Sequence, residues 1–99
     1  MKIENLVKQE VIKVDPNAEV ILFGSRARGD FRKDSDWDFL VLLDRPLTPG
    51  LKSLILDNLY YLELEYNSII SAIIHSKSEW EELAVTPIYQ IIKKEGKQA

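Results

Sequence analysis

Gly24-Ser25 and, eleven residues beyond the serine, Asp36 and Asp38 have the types and spacing to handle a phosphorylated ligand. A glycine directly after an apolar run takes backbone conformations closed to other residues and lets a ligand come close. Successive amide N–H groups in such a turn converge on an anion, more strongly where a helix begins. Ser25 adds a hydroxyl for a phosphate oxygen. Asp36 and Asp38 stand two apart, so on a strand their carboxylates leave the same face, separated by roughly 7 Å along the backbone. Two unpaired carboxylates there repel each other and attract a divalent cation. All-oxygen ligation suits Mg²⁺ or Mn²⁺, with water and phosphate oxygens completing the octahedron. Trp37, between them, faces the other way and is expected to pack.

These residues need a strand, a turn and a second strand to hold them. Val20-Ile21-Leu22-Phe23 is a short apolar run ending at Gly24, which reads as a buried strand. Ser25 to Ser35 reads as a short helical turn and a loop. Asp36 to Leu43 is the second strand, and Phe39-Leu40-Val41-Leu42-Leu43 is too uniformly apolar for a sheet wet on one face. Ile3, Leu6, Val7, Val11 and Val14 recur at helical spacing and predict an amphipathic helix over 2–14, closed by Asp15-Pro16-Asn17. Leu51, Leu54, Ile55, Leu59 and Leu62 predict a second helix, after which Leu64 to Ile74 reads as the third strand.

Ser78 and Glu81 have capping-box spacing, and Thr86-Pro87 opens a last helix that Gly96 ends near Glu95. The order α-β-β-α-β-α predicts one α/β (α+β) domain over 1–99, a small mixed sheet of about three to four strands flanked by helices.

Composition narrows the class. The chain has 99 residues, 45% hydrophobic and 29% charged, which is ordinary for a single soluble domain. With no cysteine there is neither a disulfide framework nor a thiolate metal site, in keeping with a cytoplasmic location. The N-terminal Met1-Lys2-Ile3-Glu4-Asn5 lacks the apolar stretch of a signal peptide. No apolar run approaches the ~20 residues of a membrane span. A net charge of −3 argues against a nucleic-acid backbone as partner, although Arg26, Arg28, Arg32 and Lys33 form a local basic cluster.

From Gly24 to Val41 the chain reads Gly-Ser-x-Ala-Arg-Gly, five residues, Ser-Asp-x-Asp, two residues, Val. This resembles the signature of the DNA polymerase β-type nucleotidyltransferase superfamily in its minimal form, with every specified position met. The resemblance implies that Gly24, Ser25 and Ser35 belong to the nucleotide site. It also implies that Asp36 and Asp38 hold two Mg²⁺ ions for attack of an acceptor hydroxyl on the α-phosphate of ATP or another nucleoside triphosphate. Arg26 or Arg28 either pairs with phosphate oxygens, as suits a bidentate donor, or forms salt bridges with Asp30 or Asp34.

Members of the superfamily usually carry a third carboxylate on the third strand. In Leu64-Glu65-Tyr66-Asn67-Ser68-Ile69-Ile70-Ser71 the candidates for its place by parity are Glu65, Asn67 and Ser71. Glu65 serves only if the strand starts early, and a helix end is its other address. His75 has no second histidine to form a metal set, and it reads as a surface or hydrogen-bonded side chain. Tyr60-Tyr61 and Trp80 read as packing residues.

Three functions follow as expectations. The first is an enzyme that transfers a nucleotide, AMP in the family expectation, to a hydroxyl. A chain this short has no accessory domain to hold an acceptor, so a partner, or a second copy of the chain, must supply or hold it. Minimal relatives are commonly paired with a small helical HEPN-type ribonuclease toxin, which they neutralise by adenylylating a tyrosine. The second is a module that neutralises such a partner by contact alone. The third, a nucleic-acid-binding regulator, fits the acidic balance least.

Overall fold

The run Phe39–Leu43 is buried from end to end, because the strand carrying it is covered on both faces. In a computed structural model describing residues 2–99, that strand sits at the centre of the chain's architecture. The elements are α1 (Ile3–Val14), β1 (Glu19–Phe23), α2 (Ser25–Arg28), β2 (Trp37–Leu43), α3 (Pro49–Tyr66), β3 (Ile70–Ser76), α4 (Lys77–Glu82), α5 (Pro87–Glu95) and β4 (Lys97–Gln98).

The sheet runs β3-β2-β1-β4. β1 pairs antiparallel with β2 and with β4, whereas β2 and β3 are parallel. Parallel neighbours need a crossover connection, which α3 supplies.

Strand alternation divides the core. Phe39, Val41 and Leu43 point to one face, where Val7 and Val11 of α1 and Ile55, Leu59 and Leu62 of α3 cover them. Leu40 and Leu42 point to the other, under Trp80 of α4 and Tyr89 and Ile92 of α5. A hydrophobic side chain fully buried in this way contributes about 1.5–3 kcal/mol, so the two layers are what hold β2 in place. Asp15, at the end of α1, is buried as well. Its carboxylate accepts the Asn17 and Asp44 N–H groups at 3.0 and 2.7 Å, tying the α1–β1 turn to the far end of β2.

Three sequence expectations change. The third strand starts at Ile70, not Leu64, because α3 runs on to Tyr66. Asn67 ends that helix in the left-handed conformation (φ 48°), which asparagine tolerates, and its N–H reaches Glu63 O. The capping box of α4 is Ser76 with Glu79, two residues before the expected pair. Ser76 Oγ accepts the Glu79 N–H at 3.2 Å and donates to Glu79 Oε1 at 2.9 Å, since β3 delivers the chain at Ser76. After Gly96 the chain does not simply stop: Lys97 and Gln98 pair with Leu22 and Ile21 as β4. No described helix is long and apolar enough to cross a membrane.

Candidate active site

Phe23, the last residue of β1, lies opposite Asp38 of β2, so the turn that follows β1 starts beside that aspartate. Gly24 takes φ 76° and ψ −159°, a region essentially reserved for glycine. A Cβ built there would overlap Asp38 Oδ2. The missing side chain therefore makes the room that the carboxylate occupies. From this turn α2 runs for a single turn, with Ala27 and Arg28 N–H bonded to Gly24 O, and Gly29 closes it at φ 89°. The first amides, at Ser25 and Arg26, have no partner inside so short a helix.

Asp36 sits one residue before β2 and is exposed; Asp38 is half-buried. Burial holds the Asp38 carboxyl above its ordinary range. The charge of Asp36 pushes the same way, and Arg28 pulls against both. A carboxylate whose ionisation burial and a neighbouring carboxylate disfavour in this way fits a hard dication, because the cation offsets both costs.

Ser71 is the parallel register partner of Asp38 and shares its face. It is exposed. Glu65 lies on α3 and Asn67 caps it, so neither is on the strand that pairs with Asp38. The parity that grouped these three assumed a strand over 64–71, and only Ser71 belongs to one. Among the described residues no group of three or more His, Cys, Asp or Glu side chains is placed to hold a metal ion.

The arginines and Ser35 have defined partners. Arg26 Nη2 donates to Lys33 O and Ser35 O, both at 3.1 Å, and its guanidinium lies 4.5 Å from the Phe31 ring centre and 4.4 Å from that of Trp37. It braces the loop that leads into Asp36. Ser35 Oγ accepts the Arg32 N–H at 2.8 Å within the same loop. Arg28 Nε donates to Asp30 at 3.3 Å, and its Nη1 donates to Glu95 Oε1 at 3.1 Å. Asp34, the other expected partner, receives neither arginine in an ion pair.

Glu95, unremarked in the sequence, reaches this site from the end of α5. Its Oε1 accepts the Gly24 N–H at 3.0 Å. The available signal was an acid at a helix C-terminus, where the macrodipole disfavours it and a tertiary contact must compensate. His75 plays no part here; its ring stacks on Trp80, 5.9 Å between centres.

A mixed four-stranded sheet flanked by helices, with a glycine turn pressed against the Asp38 carboxylate at a strand end, defines the class as a nucleotidyltransferase-fold protein. The chain belongs to the nucleotidyltransferase domain family, which it matches over residues 1–97. It is 36% identical over 83 residues to MJ0141 of Methanocaldococcus jannaschii, covering 79% of this chain and 84% of the relative. It is 30% identical over 79 residues to MJ0604 of the same organism, covering 80% and 74%. Both relatives are named, by inference, as protein adenylyltransferases.

Among solved structures it resembles a toxin-antitoxin crystallised with AMP-PNP, with TM-score 0.71 and 22% identity over 98% of this chain and 72% of the other. It also resembles a mutant of the toxin-antitoxin MntA-HpeT in which two aspartates two positions apart are replaced by glutamate. That match has TM-score 0.67 and 20% identity over 96% and 70% of the two chains.

Proposed function

We propose that this chain, as a single minimal domain over 1–99, is a Mg²⁺-dependent nucleotidyltransferase. It moves AMP from ATP to a tyrosine hydroxyl of a small helical HEPN-type toxin and so acts as the antitoxin, in the cytoplasm. The observation that carries the reading is Asp38, the second member of the Asp-x-Asp pair, set against a turn whose missing Cβ makes room for its carboxylate. The names of the two Methanocaldococcus jannaschii relatives support protein as the acceptor. The AMP-PNP in one structural neighbour and the toxin-antitoxin character of both support the nucleotide and the partner.

Asp36 and Asp38 are the residues to hold Mg²⁺, which when bound supplies charge neutralisation for the triphosphate and acidifies an acceptor hydroxyl. The amides of the Gly24-Ser25 turn and the Ser25 hydroxyl hold the β- and γ-phosphates. Arg26, through Ser35 O and Lys33 O, keeps the approach to Asp36 in shape. In the transfer the acceptor oxygen bonds to the α-phosphorus, the bond from that phosphorus to the bridging oxygen breaks, and pyrophosphate departs. The hydroxyl proton leaves to solvent or to a carboxylate of the pair.

Incubation with ATP labelled at the α-phosphate, Mg²⁺ and the partner tests this. Label moves to the partner, and Asp36→Asn or Asp38→Asn abolishes the movement. A serine, Ser71, in place of an acid at the β3 position in register with Asp38 favours a second reading, neutralisation by contact alone. Partner inhibition with no label incorporated selects that reading.

A further inference from the structure

The Gly24 amide and the Arg28 guanidinium are donors of the kind that a phosphate oxygen seeks, and one carboxylate already holds both. Glu95 Oε1 lies 3.0 Å from Gly24 N and 3.1 Å from Arg28 Nη1, while Oε2 lies 3.3 Å from the same Nη1. The Glu95 side chain is 19% exposed, well withdrawn from water for a charged group, whereas that of Arg28 is 45% exposed. Arg28 also bonds Asp30, so its single positive charge faces two negative ones. Arg26, the other cation of the Gly24–Gly29 turn, is engaged by Lys33 O and Ser35 O. Both guanidiniums of the Gly24–Gly29 turn therefore already carry hydrogen bonds, and the Arg28 charge is shared between two carboxylates, while Glu95 stays in place.

We propose that Glu95 sets the affinity of the site for phosphate: its carboxylate is an intramolecular occupant of the Gly24–Arg28 donors, and a triphosphate must displace it. The inference rests on the nucleotide site proposed above. It goes further by assigning a role to a residue outside the motif, on the last helix. Displacement takes nothing more than rotation of an unbranched side chain on α5. When it leaves, Arg28 keeps Asp30 as an anchor and regains free donors. Apparent affinity is the intrinsic affinity scaled by the fraction of molecules with an open site. If the open form makes up about 10–20% of the free protein, removing the occupant tightens binding by about five- to tenfold.

The test is calorimetric titration of wild type, Glu95→Gln and Glu95→Ala with two probes, Mg-ATP and metal-free inorganic tripolyphosphate. Thermal melts verify that each variant folds. Glu95→Gln keeps the length and an acceptor for the Gly24 N–H while dropping the charge, so it stands in if Glu95→Ala fails to fold. Both variants are expected to bind tripolyphosphate and Mg-ATP about five- to tenfold more tightly. In wild type, NMR resonances of the Gly24 amide and the Glu95 carboxylate carbon are expected to move together as tripolyphosphate is added.

Unchanged affinity with a lowered melting point makes Glu95 a structural clamp and overturns the inference. Weaker binding makes it a positioning residue for Arg28, which also overturns it. So does failure of every variant to bind either probe. If Glu95→Gln tightens tripolyphosphate binding while Mg-ATP binding ignores Asp36→Asn, the inference stands and the proposed nucleotidyl transfer falls.

Discussion

Neutralising Asp38 should stabilise the metal-free protein at pH 7. Asp36 and Asp38 are separated by two residues of extended chain, about 6.6 Å of rise. Two like charges at that distance repel by about 0.6 kcal/mol in water and about 2.5 kcal/mol at an effective dielectric of 20. Asp36 is exposed and Asp38 half-buried, so the low end applies. Screening with a Debye length of about 8 Å trims it further, while burial of Asp38 adds to the cost. Asp38→Asn should therefore gain about 0.5–1 kcal/mol, or about 2–8 °C in melting temperature for a domain of this size.

The sign with pH follows from the raised folded-state pKa of Asp38. A carboxyl raised on folding binds protons more tightly in the native state, so its ionisation costs stability at neutral pH. That cost fades as pH falls through the raised value and is gone below the ordinary value of 3.8. Melts followed by circular dichroism in EDTA, from pH 7 downward, should show the variant's advantage closing as pH approaches that value. Adding Mg²⁺ at ten times its Kd should then favour wild type by about 1.4 kcal/mol and leave the variant unmoved. A variant less stable than wild type at pH 7, or an advantage independent of pH, refutes the reasoning.

Gly24→Ala should cost about 1–3 kcal/mol in urea denaturation, from backbone strain at φ 76° together with the collision with Asp38, and should weaken Mg-ATP binding in titrations. Ser71→Asp should raise Mg²⁺ affinity, read by calorimetry, because it sets a third carboxylate in register beside Asp38; no change in Mg²⁺ affinity would mean that Ser71 does not face the cation. Ser76→Ala should lower stability by about 1 kcal/mol, read in the same denaturation assay, by removing the cap of α4, whereas Ser78→Ala should cost less.

The parts of this fold legible in the sequence are those where one local pattern admits one structure. Five consecutive apolar residues in β2 require cover on both faces, and α1 and α3 on one side with α4 and α5 on the other provide it. The glycine turn after β1 likewise states its geometry locally, and Asp38 lies beside it. What stayed hidden was decided by competition between equivalent signals or by contacts distant in sequence. Ser76 and Ser78 both precede a glutamate by three residues, and only the exit point of β3 chooses between them. Tyr66 fits a strand by side-chain type, and Leu64 fits either element. They remain helical because the chain is already in α3, and a helix extends more easily than it restarts; the first residue able to leave it cheaply is Asn67. β4 forms because β1 has an open edge, a fact no two-residue segment can announce.

Glu95 is the extreme case. By its own helix it is slightly misplaced, and its stabilisation comes from donors 67 and 71 residues away in the chain. A residue that contradicts its local preference while satisfying a distant pair of donors belongs to a site more often than to a helix. That is why the glycine turn cannot be understood from the motif alone: in the free protein the Gly24 amide and the Arg28 guanidinium already share a carboxylate partner, Glu95.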